Sequence, residues 1–156
     1  MGLFMAVASA TWDDAGFFTP FYRIAAVLDP AAYDISVEQA ATGSRFWFES
    51  QTALPGACVH LGLAAFFGML FGLLWRGDRR RTGPAATLLA AVAWGLAVAV
   101  VMVPVLRLCG QAVGGGGLIA QAPSSIGWPT YVAMHLVYGL GLGAIVALRA
   151  ARPRSA

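Results

Sequence analysis

The chain has 156 residues, of which 59% are hydrophobic and only 11% charged. Soluble domains carry about 25% charged residues, so the composition excludes an ordinary water-soluble enzyme and a disordered chain, and points to a polytopic membrane protein. The formal net charge of +3 sets ten basic residues, all Arg, against seven acidic ones; the Arg lie at the ends of apolar runs, a pattern that marks membrane topology and not nucleic-acid binding.

Met1–Trp12 is apolar but only about 18 Å long as a helix. It reads either as a signal-peptide remnant, without a basic n-region or a clear cleavage site, or as the start of a longer span. An internal comparison favours the longer span. Pro20-Phe21-Tyr22-Arg23-Ile24 resembles Pro104-Val105-Leu106-Arg107-Leu108, and Val59-His60-Leu61 opens a run towards Gly68 and Leu73 as Met134-His135-Leu136 opens one towards Gly143 and Leu148. Each half runs Pro-x-x-Arg, a connection, then a His-bearing helix, which reads as two helix hairpins in parallel orientation. In that register Pro20 ends a first span, and Asp13 and Asp14 fall near mid-depth.

Next comes an outer-face segment of about residues 29–50, with Asp29-Pro30, a polar stretch Tyr33–Gly43 and the triplet Phe46-Trp47-Phe48. It reads as a short surface helix with an aromatic anchor in the interface. Three uncharged stretches follow, Ala53–Trp75, Gly83–Leu106 and about Gly127–Leu148, each longer than the roughly 20 residues a spanning helix needs. Pro55, Pro84 and Pro129 lie near helix starts, where the missing N–H costs little. Gly114–Gly117 mark a flexible connection between the last two. The predicted fold is all-α: one membrane domain, a transmembrane four-helix bundle of two parallel-related hairpins, with spans at about 2–24, 53–75, 84–106 and 127–148.

Arg76, Arg79, Arg80 and Arg81 fill the connection after the first long stretch, and Arg149, Arg152 and Arg154 follow the last. The positive-inside bias therefore places that connection and both termini in the cytoplasm. Cys58 and Cys109 have no metal-binding spacing, and two isolated thiols are favoured over a bridge.

Both histidines lie on spanning helices. Steps of four from His60 reach Ala64, Gly68 and Gly72, and steps of four from His135 reach Gly139, Gly143 and Ala147. Such small-residue stripes let helix backbones approach closely, so both imidazoles are expected to face the bundle interior. Carboxylates in hydrocarbon are costly, which makes Asp13, Asp14, His60 and His135 a candidate intramembrane polar cluster. Its bland counterpart has each His donating one structural hydrogen bond and the aspartates standing in outer-side water. Arg23 and Arg107 form an outer-face basic pair that either snorkels to lipid phosphates or draws an anion into a vestibule. No nucleotide, hydrolase or metalloprotease motif is present, so no catalytic residue is assigned.

The layout, with a His early in the second and fourth helices and His135-Leu-Val-Tyr-Gly-Leu-Gly-Leu-Gly143 in the fourth, resembles YagU-type bacterial inner-membrane proteins. That resemblance rests on His60, His135 and the glycine stripes, about a quarter of the chain. It implies a bacterial inner-membrane location and, loosely, a role in acid or stress tolerance, and it carries no catalytic residues.

The sequence is therefore expected to encode a non-enzymatic, multi-pass membrane protein without a metal or cofactor. Proton-linked transport, a channel-like role or service as an accessory subunit would fit, with a homo-oligomer or a larger membrane complex as partner. The alternative is a redox module with heme b or a metal held between His60 and His135.

Overall fold

A computed structural model describes residues 2–12, 15–26, 29, 31–75, 83–112 and 126–151. Asp13, Asp14, Arg76, Arg79–Arg81, Gly114–Gly117, Arg152 and Arg154 lie outside the described residues. The described residues are helical and turn structure, with helices α1 (Gly2–Trp12), α2 (Thr19–Ala25), α3 (Ala31–Ala41), α4 (Ser50–Leu74), α5 (Pro84–Ala112) and α6 (Trp128–Ala151). Three of them, α4, α5 and α6, contain stretches long and apolar enough to cross a membrane: Ser50–Leu74, Pro84–Cys109 and Trp128–Arg149.

The region expected as one span, 2–24, differs. It forms two helices, α1 of 11 residues and α2 of 7. As a helix α1 is about 16 Å long, roughly half of the ≈ 30 Å hydrocarbon core. The break has a local cause. Ser9 Oγ donates to the Gly16 carbonyl at 2.9 Å, and the Gly16 N–H donates to Thr19 Oγ1 at 2.8 Å, so side chains take up backbone groups that a continuous helix would pair. Pro20 then sits in the first turn of α2, where it has no N–H to lose.

The segment 29–50 contains α3 and a non-helical run. Ala32, Ser36 and Ala40 form the buried stripe of α3, and Ser36 Oγ lies 2.8 Å from Thr19 Oγ1 of α2. The helix ends in a paired-bond C-cap: the Ser44 N–H reaches the Gln39 carbonyl and the Gly43 N–H reaches that of Ala40. Gly43 holds φ at +93° there, the left-handed geometry that such a cap requires and glycine adopts without penalty. Trp47, expected as part of an interfacial anchor, turns inward and stacks on Tyr22 with ring centroids 5.1 Å apart. Phe46 and Phe48 stay exposed. The Tyr22 hydroxyl accepts the Glu49 N–H at 2.6 Å, which ties the entry of α4 to α2. We call this end of the molecule the cap end.

The closest helix pair is α5–α6. Gly95 lies against the His135 carbonyl, Gly139 against Ala91 and Val92, and Gly143 against Leu88 and Ala91. The Tyr131 hydroxyl bonds Ala99 O at 2.8 Å. These pairings run in opposite sequence directions, so the two helices are antiparallel. Helix α4 behaves differently. Near the cap end it seats Gly56 against the Phe21 carbonyl and Ala25, and Ala53 joins Tyr22, Ala25 and Ala32 in one core cluster. At the far end Phe71 packs with Ala91 and Val146, flanked by Trp75, Trp94 and Leu142. Between these points long side chains bridge to it: the Tyr138 hydroxyl donates to the Ala64 carbonyl at 2.8 Å, Trp94 Nε1–H donates to the Phe67 carbonyl at 3.2 Å, and Leu142 lies near Gly68. A third cluster, Ala99, Tyr131 and Met134, is covered by Phe4 and Met5 of α1.

Candidate functional site

Holding α4 away from the α5–α6 pair leaves a cavity of about 390 Å³, within the range of small-molecule sites (roughly 300–1,000 Å³). One wall is α4, through Val59, His60, Leu63, Ala64 and Phe67. The opposite wall is α5, through Val98, Met102, Val105, Leu106 and Cys109, together with α6, through Thr130, Tyr131, Met134, His135 and Tyr138. Met5 and Ser9 of α1 and Thr19, Pro20, Arg23 and Ile24 of α2 close the cap end.

Both histidines line this cavity. Tyr138 lies opposite Ala64, Leu142 near Gly68, and Val146 near Phe71, so α4 and α6 run parallel. Carried one turn towards the cap end, that register sets His60 level with Met134 and His135. Both imidazoles are buried, His60 to 8% exposure and His135 to 3%, and both line the cavity.

The protonation pattern of His135 follows from its partner. Its Nδ1 lies 2.8 Å from the Tyr131 carbonyl oxygen. A carbonyl only accepts, so Nδ1 carries the hydrogen, and the neutral ring then has its lone pair on Nε2. The Tyr131 ring sits 4.6 Å from the imidazole while its hydroxyl is engaged by Ala99, which fixes the ring from both ends. His60 is held by α2, with the Phe21 ring meeting it edge-on at 6.3 Å between centroids. The backbone of that same Phe21 is the seat for Gly56, one turn before His60.

Of the basic pair, Arg23 lines the cap end of the cavity. Its guanidinium donates to the Tyr33 hydroxyl at 2.9 Å and lies over the Tyr33 ring at 4.9 Å. Arg107 is exposed and lies apart from the cavity lining. Of the four stripe glycines, Gly139 and Gly143 lie against α5, Gly68 has the Tyr138 hydroxyl nearby, and Gly72 is half-buried. Asp13 and Asp14 lie outside the described residues; of the four residues expected as a polar cluster, His60 and His135 line one cavity. Cys58 and Cys109 are free thiols. Among the described residues no three His, Cys, Asp or Glu side chains converge.

Sequence reasoning missed Tyr131 and Tyr138, which lie four residues before and three after His135. On a helix that spacing puts all three on one face, so the signal was present. Tyr138→Phe removes the hydroxyl that spaces α4 from α6. The expected loss is about 0.6 kcal/mol, the average for an interhelical hydrogen bond in a membrane protein, read from a denaturation curve in detergent. A loss no greater than that of an exposed-residue control would deny Tyr138 its bridging role.

No known protein family, no curated protein and no solved structure matches the chain. Fold and site therefore define it only as a helical protein with three helices able to cross a membrane, enclosing a histidine-lined apolar cavity.

Proposed function

We propose that the chain is a multi-pass protein of a bacterial inner membrane, with both termini cytoplasmic, that binds a lipid-soluble ligand in the cavity between α4 and the α5–α6 pair. One observation carries this reading. Val59 and Leu63 of α4 and Val105 and Cys109 of α5 line the cavity and are exposed, whereas Val98, Met134 and His135 on its inner wall are buried. The mouth therefore opens sideways between two membrane-length helices, into the space that acyl chains would fill. A ligand dissolved in the bilayer reaches such a mouth without crossing water. The wall is aliphatic and aromatic with a few polar groups, the composition expected of a binding site that orients an apolar molecule. That composition favours retention of a ligand over passage of hydrated ions.

Photolabelling tests it. In liposomes, a fatty acid with a diazirine near its chain end is expected to label the buried cavity residue Met134 as well as the exposed Leu73 and Leu89. Met102→Trp, which fills the cavity, should lower labelling of Met134 severalfold and leave Leu73 and Leu89 unchanged. Equal labelling of Met134 in both proteins would remove the binding function.

A further inference from the structure

Resting on the reading of this cavity as a ligand site, we propose that its ligand is a metalloporphyrin of the heme b type, with His60 and His135 as axial ligands. Four observations converge on it. First, the two imidazoles stand at one level on adjacent parallel helices and line the same cavity, as the two faces of one macrocycle require. Second, His135 donates Nδ1–H to the Tyr131 carbonyl. Such a bond fixes the ring and leaves Nε2 as the donor to a metal, the usual outer-shell arrangement of metal-binding histidines. Third, no third His, Cys, Asp or Glu joins them among the described residues. Two nitrogens are a poor site for a bare ion but a full axial set for a metal that arrives with four nitrogens of its own.

The fourth observation concerns room. Had the glycine stripe of α6 faced α4, the two histidine helices would lie in contact. Instead Gly139 and Gly143 lie against α5, and α6 reaches α4 through the longer side chains of Tyr138 and Leu142. The walls are apolar nearly throughout, which suits the macrocycle. Arg23, held by Tyr33, is the cation that lines the cap end, where carboxylate side chains would be directed, while Val59, Leu63 and Val105 give the α4–α5 side an apolar edge.

The test is a titration of the purified full-length protein with hemin. The expected result is saturation at one hemin per chain with a low-spin, six-coordinate spectrum in both oxidation states. His60→Ala and His135→Ala should each abolish that spectrum and weaken binding by more than about tenfold, and added imidazole should restore the low-spin signature. Arg23→Gln should weaken binding a few-fold and leave the spectrum low-spin. The proposal is overturned if wild type and the His60→Ala/His135→Ala double variant give the same spectrum, that of hemin in empty detergent micelles. Because the wild-type titration stands alone, misfolding of a variant does not rescue the idea. If the cavity photolabels and hemin still shows no histidine-dependent spectrum, heme is excluded and the lipid-soluble ligand site stands. If both assays fail, both readings fall.

Discussion

Gly139→Ala is expected to destabilise the protein by about 1–3 kcal/mol, the usual cost of forcing an extra methyl into a packed interior. The reason is which atoms the methyl would meet. A Cβ at this position falls 2.5 Å from the Ala91 carbonyl oxygen and 2.9 Å from Val92 Cα. Both belong to the backbone of α5, which has no rotamer to change, so the two helices must move apart. The separation loosens the Tyr131–Ala99 hydrogen bond and with it the fixture of His135. Gly141→Ala is the matched control on the same helix. Nothing lies within 4 Å of a Cβ there, so that change should be neutral, or stabilising by up to about 1 kcal/mol through helix propensity. Comparison of the two unfolding curves isolates the helix contact, and equal stabilities would contradict the close α5–α6 approach.

Gly56→Ala is the second. The added methyl would collide with the Phe21 carbonyl and press on the Ala25 nitrogen, again backbone, and α2 must lift from α4. The expected loss is also about 1–3 kcal/mol, with a distinguishing consequence at the site. Phe21 carries the ring that meets His60, so lifting α2 should weaken ligand binding as well as stability, whereas Gly139→Ala acts first on the His135 side. Gly62→Ala, with open space around its Cβ, is the control. Unchanged protection of residues 42–49 from proteolysis in Gly56→Ala would contradict the role of this contact in seating the cap.

How far the sequence carried is visible in individual residues. The long helices were legible because each is an unbroken apolar run bounded by Pro, Trp or Arg. The break before α2 was less so: Asp13-Asp14 ends the apolar run at Trp12, but the internal comparison carried a single span through to Pro20, and the hydrogen bonds of Ser9 and Thr19 depend on three-dimensional proximity. The stripes below His60 and His135 announced that some backbone comes close, but a run of small residues does not say whose. Gly139 and Gly143 found α5, and Gly68 found the Tyr138 hydroxyl. The isolated Gly56 and Gly95 gave no periodic signal, yet they sit at two of the tightest contacts. Arg23 and Arg107 share a Pro-x-x-Arg setting and differ in outcome, because Arg23 has Tyr33 of α3 beside it.

The way α4 is held has one more effect. It resembles a beam resting on supports near its two ends, with Gly56 bearing on α2 and Phe71 bearing on α5 and α6, and a strut at Ala64. The two turns between Gly56 and Ala64 lie over a hollow. Side chains there, Val59 and Leu63 among them, have few packed neighbours to offend when exchanged. Natural variation along that stretch can therefore retune what the hollow accepts while the supports keep the architecture intact.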